Sequence, residues 1–173
     1  DKRWGSDILV PIIESVKENF RVDEDRVYLT GLSMGGYGTW NLSTSRPDLF
    51  AACAVVCGGG EPKDVDKVKN IPFWVFHGVL DSRVPFWKGE QMVKAMEKAG
   101  ADIQFTVYPD LYHDSWTKTY SNPDLYTWFL SHSRSGKSDL KLDPETEQAF
   151  KVWKLRSVFG AQEDAERIDL EKA

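Results

Sequence analysis

Two uninterrupted apolar runs, residues 51–56 (Ala-Ala-Cys-Ala-Val-Val) and 72–76 (Pro-Phe-Trp-Val-Phe), constrain the fold more than any other feature of the chain. A strand with one wet face alternates apolar and polar residues. A strand covered on both faces has no polar side to show. The two runs therefore read as central strands of a parallel sheet with helices on both sides.

The rest of the chain supplies those layers. Ile8, Leu9, Ile12, Ile13, Val16 and Phe20 recur at helical spacing, with Ser6 or Asp7 as the expected cap and Pro11 near the start. Residues 26–30 read as a short strand ending at Gly31. A helix should follow Gly35 and stop before Arg46-Pro47. Met92, Val93, Met96 and Ala99 mark another helix, stopped by Gly100. Ile103, Phe105 and Val107 alternate with Gln104, Thr106 and Tyr108, as a half-exposed strand near an edge would. Asn122-Pro123 opens a helix running to Ser131. Alternating strands and helices imply right-handed crossovers, with ligands beyond the carboxyl ends of the strands. Chemistry is expected just after residues 30, 57, 76 and 108.

Charge and composition narrow the classes. A net charge of −5 argues against non-specific nucleic-acid binding, which rests on neutralising phosphates. No apolar run approaches the roughly 18 residues of a membrane span. Cys53 and Cys57 read as one strand, which would hold their Cα atoms about 13 Å apart, too far to bridge. Both are expected as small buried apolar groups. Residues 134–173 form a charged tail, separate from a domain over 1–133. In it Asp143-Pro144-Glu145 opens a helix, and Phe150, Trp153, Leu155, Val158 and Phe159 form an apolar stripe expected to dock. Residues 161–173 are expected as a solvated helix or frayed end.

Gly31-Leu32-Ser33-Met34-Gly35 lies between a strand and a helix. That is the setting of a nucleophile elbow, in which a strained turn projects the serine oxygen above the sheet. The N–H of Met34, at the helix start, is then placed to meet a developing oxyanion. Of the three histidines, His132 is expected at the surface near the end of the last helix. His77 is expected as a packed, hydrogen-bonded residue after a central strand. His113 sits on the loop beyond the last strand, where a base is needed. Asp81, on the preceding loop, is the candidate to orient it; Asp110 and Asp114 are too close in sequence to reach its far nitrogen. Trp87 and Trp116 adjoin the Asp and His loops and are candidates to line an aromatic or sugar-binding cleft. Tyr37 and Trp40 are expected in the core. The histidines and cysteines lack metal-ligand spacing, and neither metal nor cofactor is expected.

The order Ser33, Asp81, His113 is that of one fold family. With His77-Gly78-Val79-Leu80-Asp81-Ser82-Arg83-Val84-Pro85 and Tyr108-Pro109 through His113-Asp114-Ser115-Trp116, residues 4–132 resemble the α/β-hydrolase superfamily. The nearest likeness is to its dienelactone-hydrolase-like, prolyl-oligopeptidase-like and feruloyl-esterase-like members. The resemblance implies an α/β-hydrolase fold: a mostly parallel sheet flanked by helices, here with an appended C-terminal helix. It implies Ser33 as nucleophile, Asp81 as orienter, His113 as general base and acid, and Met34 as one oxyanion donor. It also implies further strands ahead of the first helix, one followed by a loop carrying the second oxyanion donor. The chain is therefore expected to be the C-terminal part of a longer hydrolase, with residues 26–30 as an exposed edge.

The function so implied is a serine carboxylesterase acting through an acyl-enzyme, on small or polysaccharide-linked esters, feruloyl or acetyl groups above all. A prolyl-oligopeptidase-type peptidase and a non-catalytic fragment are the alternatives. A secreted or periplasmic location is compatible with this reading.

Overall fold

A computed structural model describes residues 5–137, 140–141 and 143–149. Four parallel strands stand side by side in chain order: β1 (Tyr28–Leu32), β2 (Ala52–Val56), β3 (Phe73–Gly78) and β4 (Ile103–Tyr108). Tyr28 pairs with Ala52, Cys53 with Phe73, and Phe73 with Ile103. Every residue of β2 is buried, and β3 is buried except for the half-covered Trp74. These are the two continuous apolar runs, in the central places expected of them. β4 closes one edge and β1 the other.

The helices are α1 (Ser6–Asn19), α2 (Met34–Ser45), α3 (Trp87–Lys98), α4 (Trp116–Tyr120) and α5 (Pro123–Leu130). On one face of the sheet, Cys53, Val55, Phe73 and Val75 pack with Trp40 and Leu42 of α2 and Met92, Val93 and Met96 of α3. Trp40 lies flat on Phe73, ring centroids 4.4 Å apart and planes within 6°. On the other face, Ala52, Ala54, Val56, Phe76 and Tyr108 pack with Leu125 and Phe129 of α5. Strand alternation thus feeds two cores, and each large side chain wholly buried contributes about 1.5–3 kcal/mol.

Several elements differ from the sequence expectation for physical reasons. β1 starts at Tyr28 because residues 24–26 form a 3₁₀ turn, capped by the Asp23 carboxylate accepting from the Asp25 N–H. It runs past Gly31, which is a site of close approach: a Cβ there would overlap the Gly35 carbonyl. α1 starts at Ser6 with Gly5 as its cap, no side chain caps it, and Pro11 sits inside it. Cys57 lies one residue beyond β2 with φ +41°. α5 ends at Leu130, and Asn122 caps it by accepting from the Asp124 N–H at 3.1 Å.

The sequence reading missed α4 and a two-residue hairpin, β5 (His132–Ser133) with β6 (Gly136–Lys137). His132 therefore lies in a strand, its Nδ1–H donating to the Trp128 carbonyl at 2.7 Å. The hairpin carries the chain past residue 133 into the folded body, and the Arg134 N–H donates to the Asp25 carbonyl at 2.9 Å. Residues 144–149 are helical, and the Asp143 carboxylate accepts from the N–H of Thr146 at 2.9 Å. Phe150, Trp153, Leu155, Val158, Phe159 and the 161–173 end lie outside the described residues, with the docking expected of them. Among the described residues no helix is long and apolar enough to cross a membrane.

Candidate active site

The loops beyond the carboxyl ends of β1, β3 and β4 bring Ser33, Asp81 and His113 together. Ser33 is the single residue between β1 and α2 and adopts φ 52°, ψ −116°. That conformation is costly for any residue with a Cβ. It is held by its own backbone: the Ser33 N–H donates to the Val56 carbonyl at 2.9 Å, and its carbonyl accepts from Gly36 and Tyr37. Below it, Gly36 and Gly58 approach so closely that a side chain on either would collide with the other's backbone. The glycines after Ser33 and after β2 thus let the turn sit directly on the sheet.

The loops bearing Asp81 and His113 are joined in the same manner. Val79 N–H donates to the Tyr108 carbonyl at 2.9 Å and Leu80 N–H to the Leu111 carbonyl at 3.0 Å. A Cβ on Gly78 would overlap the Leu111 and Tyr112 carbonyls, so only glycine lets these loops meet.

The Ser33 hydroxyl lies 2.9 Å from His113 Nε2, and His113 Nδ1 lies 2.8 Å from Asp81 Oδ2. Ser33 and His113 are half-buried, while Asp81 is only 5% exposed. A carboxylate so buried needs donors. Asp81 Oδ1 accepts from the N–H groups of Arg83 and Val84, both at 2.9 Å. His77 is wholly buried beside it: Nε2–H donates to the Val84 carbonyl at 2.9 Å and stands 3.4 Å from Asp81 Oδ2. Burial holds the His77 imidazole below its ordinary pKa, so it packs as the neutral ring. This is the packed histidine expected, with an unexpected neighbour in Asp81. The Asp-x-Arg-Val spacing, in which a carboxylate accepts from N–H groups two and three residues on, was a signal in the sequence for the Asp81 turn.

Asp114 does not orient His113; it accepts from the N–H and hydroxyl of Thr117 at 3.1 and 2.9 Å and so anchors α4. Trp116, on that helix, meets the His113 ring edge-on with centroids 5.3 Å apart. Trp87 is half exposed at the start of α3 with the Lys88 ammonium over its ring. Met34 is the first residue of α2, where opening N–H groups have no acceptor within the helix.

Cys57 sits beneath the three. Its Sγ, an Asp81 oxygen and a His113 nitrogen all lie within 4.8 Å of one another. Burial pushes its thiol up to about 11, so it stands protonated, while His113 and Asp81 satisfy each other. A protonated thiol and an engaged imidazole make a poor donor set for a metal. The hydroxyl–imidazole–carboxylate chain is suited instead to moving one proton: Nε2 can take it from the hydroxyl while the carboxylate steadies the imidazolium.

Known proteins share parts of this sequence and of its fold. The chain is 29% identical over 134 residues to a bifunctional acetylxylan esterase/xylanase of Neocallimastix patriciarum, covering 74% of this chain and 18% of that protein. It is 40% identical over 48 residues to poly(3-hydroxyalkanoate) depolymerase C of Paucimonas lemoignei, covering 28% of this chain and 12% of that one. The crystal structure of a thermostable esterase superposes with a TM-score of 0.71 at 38% identity, over 73% of this chain and 36% of that chain. An acylaminoacyl peptidase of Pyrococcus horikoshii, at 18% identity and TM-score 0.64 over 80% of this chain and 29% of that chain, shares the fold. The chain spans well under half the length of each of these proteins. The dienelactone hydrolase family model matches residues 4–132, so the chain belongs to the dienelactone hydrolase family and has the α/β-hydrolase fold.

Proposed function

We propose that Ser33, Asp81 and His113 are the nucleophile, the orienting carboxylate and the general base of a serine esterase. The observation that carries this reading is the unbroken hydrogen-bond chain, 2.9 Å from Ser33 to His113 and 2.8 Å from His113 to Asp81. Ser33 Oγ attacks the ester carbonyl carbon as its proton passes to His113 Nε2. The oxyanion forms next to the Met34 N–H, at the positive end of α2. When the carbonyl re-forms, the alcohol departs with the proton from Nε2 and an acyl-serine remains. Water then attacks, its proton goes to Nε2 and on to Ser33, and the acid is released. Asp81 holds Nδ1–H in the tautomer this sequence needs. Trp116, against His113, is placed to border the substrate.

The substrates proposed are acetyl or feruloyl esters of plant polysaccharide. The likeness to an acetylxylan esterase supports that choice. Labelling by a fluorophosphonate probe tests the reaction: it should occur at Ser33 and vanish in Ser33→Ala. Turnover of p-nitrophenyl acetate by the full-length protein should fall about 10⁴–10⁶-fold in Ser33→Ala and in His113→Ala, with little more lost in the pair. Asp81→Asn should stay folded and lose about 10⁴-fold. A Ser33→Ala protein that keeps its activity, or an Asp81→Asn protein near wild type, would sink the assignment.

A further inference from the structure

Cys57 lies close to Ser33, Asp81 and His113 and has no part in the steps of the proposed reaction. It is the first residue beyond β2, with φ +41°, and its N–H donates to the Phe76 carbonyl at 2.8 Å. A left-handed backbone is costly for a residue with a Cβ, and glycine takes it freely. Gly58, Gly59 and Gly60 follow directly. A strained cysteine thus stands where glycine would relax the turn. Such strain persists where the side chain is needed.

That side chain is wholly buried in the floor of the site. Its Sγ, an Asp81 oxygen and a His113 nitrogen lie within 4.8 Å of one another. The Ser33 N–H and the Ser115 hydroxyl lie against the same sulfur. Ser115 is also wholly buried, and its hydroxyl makes no hydrogen bond of regular geometry among the described residues. Its N–H donates to the His113 carbonyl at 2.8 Å and so ties down the His113 loop. The sulfur therefore stands among the serine turn, the carboxylate–imidazole pair and the anchor of the histidine loop.

We infer that Cys57 is a positioning residue: its sulfur keeps water and competing donors away from the Asp81 carboxylate, so that Oδ2 is left to His113 Nδ1–H. The inference rests on the esterase reading of Ser33 and adds to it what preserves the orientation of the base. Asp81 Oδ1 is committed to the Arg83 and Val84 N–H groups, while Oδ2 accepts from His113 at 2.8 Å. A carboxylate oxygen has a further lone pair, so a strong donor below it would draw charge from the His113 bond. A hydroxyl or a water is such a donor. A thiol is a weak one and otherwise packs as a small apolar group. The sulfur fills the floor without claiming the carboxylate.

Three variants of the full-length protein, assayed on p-nitrophenyl acetate, test this. Cys57→Ser keeps the shape and puts a strong donor beside Asp81. Its kcat should fall about tenfold with KM little changed, the loss expected when one hydrogen bond to a charged group is weakened. The acid limb of its kcat/KM profile, which reads His113, should move down by about half a unit or more, because a shared carboxylate stabilises the imidazolium less. The ionisable neighbours Asp81, His77 and Asp114 are unchanged in it. Cys57→Gly relaxes the backbone and Cys57→Ala does not, so the glycine variant should melt no lower than the alanine one. Both should still lose about tenfold in kcat as water replaces the sulfur. Wild-type kcat in Cys57→Ser or Cys57→Gly, or an acid limb that stays in place in Cys57→Ser, overturns the inference. A glycine variant melting below the alanine one removes the strain it rests on and overturns it as well. Should Cys57→Ser not fold, the kcat of Cys57→Gly decides alone. Fluorophosphonate labelling of the wild type reads the esterase assignment separately: an unlabelled Ser33 defeats both readings, while a labelled Ser33 with unaltered Cys57 variants defeats this one and leaves the esterase.

Discussion

Gly89 of α3 lies flush against the Nδ1 edge of the His77 ring, so close that a Cβ on Gly89 would overlap that nitrogen. His77 has no room to move away, being wholly buried with its other nitrogen bonded to the Val84 carbonyl and facing Asp81. A methyl at position 89 therefore pushes on the support of the Asp81 turn. Gly89→Ala should destabilise the protein by about 1–3 kcal/mol, the cost of overpacking a filled core. Gly35→Ala is the contrast, because a Cβ there meets nothing within 4 Å. It should leave stability unchanged or raise it by up to about 1 kcal/mol. Denaturant unfolding of the two variants checks this, and equal midpoints would refute the packing argument.

The same contact makes a pH prediction. Protonated His77 would present a second N–H at Nδ1, which is buried and has no acceptor. Its pKa is accordingly held below 6.5 by burial. The unfolded chain takes up a proton that the fold refuses, so stability is complete above about 6.5 and falls as pH drops through the window beneath it. His77→Gln keeps an N–H for the Val84 carbonyl and removes the titration. Its melting temperature should therefore depend less on pH between about 6.5 and 5 than that of wild type. Parallel curves would show that His77 carries no such linkage.

Much of this site was legible in the sequence, and the parts that were not share a cause. The strand positions of residues 52–56 and 73–76 follow from solvent exclusion on both faces, which apolarity reports directly. Ser33, Asp81 and His113 fall on loops at one sheet edge, so parallel topology and element order suffice to bring them near. The missed features depend on distant partners. Gly31 reads locally as a strand terminator, but its role is set by the Gly35 carbonyl packing over it. His77 looked like any packed histidine because its contact with Asp81 is made only when the loop doubles back. α1 was recognised by its period, yet no residue of it is buried, since periodicity reports a helix and not what covers it.

Cys57 should be inert. Its thiol is buried and pushed up to about 11, which leaves on the order of 0.1% thiolate at pH 8. Cys53 is more deeply buried and its thiol is raised further. Iodoacetamide should leave both unmodified in native protein and alkylate both in guanidinium, as read by mass spectrometry. A chelator should leave ester turnover unchanged, because His113 and Asp81 are already each other's partners. Rapid native labelling of Cys57 would mean that the floor beneath Ser33 opens on the reagent's timescale.

The edge formed by α1 and β1 carries the last prediction. Ile8, Ile12 and Val16 repeat every four residues along α1 and are 46%, 56% and 44% exposed. Beside them Leu9, Ile13, Leu29, Leu32 and Leu42 line an apolar groove of about 670 Å³ that runs along β1 to Ser33. Among the described residues β1 pairs with β2 alone, which leaves the other side of its backbone without a strand partner there. An apolar stripe beside an open strand edge favours association. These 173 residues, purified by themselves, should sediment as dimers or larger species, and the fraction should grow with concentration. Ile12→Glu with Val16→Glu places charge in the middle of the stripe without touching a buried residue, and should shift the chain toward monomer while far-ultraviolet circular dichroism is preserved. A wild-type chain that stays monomeric at high concentration would show that this face does not drive association.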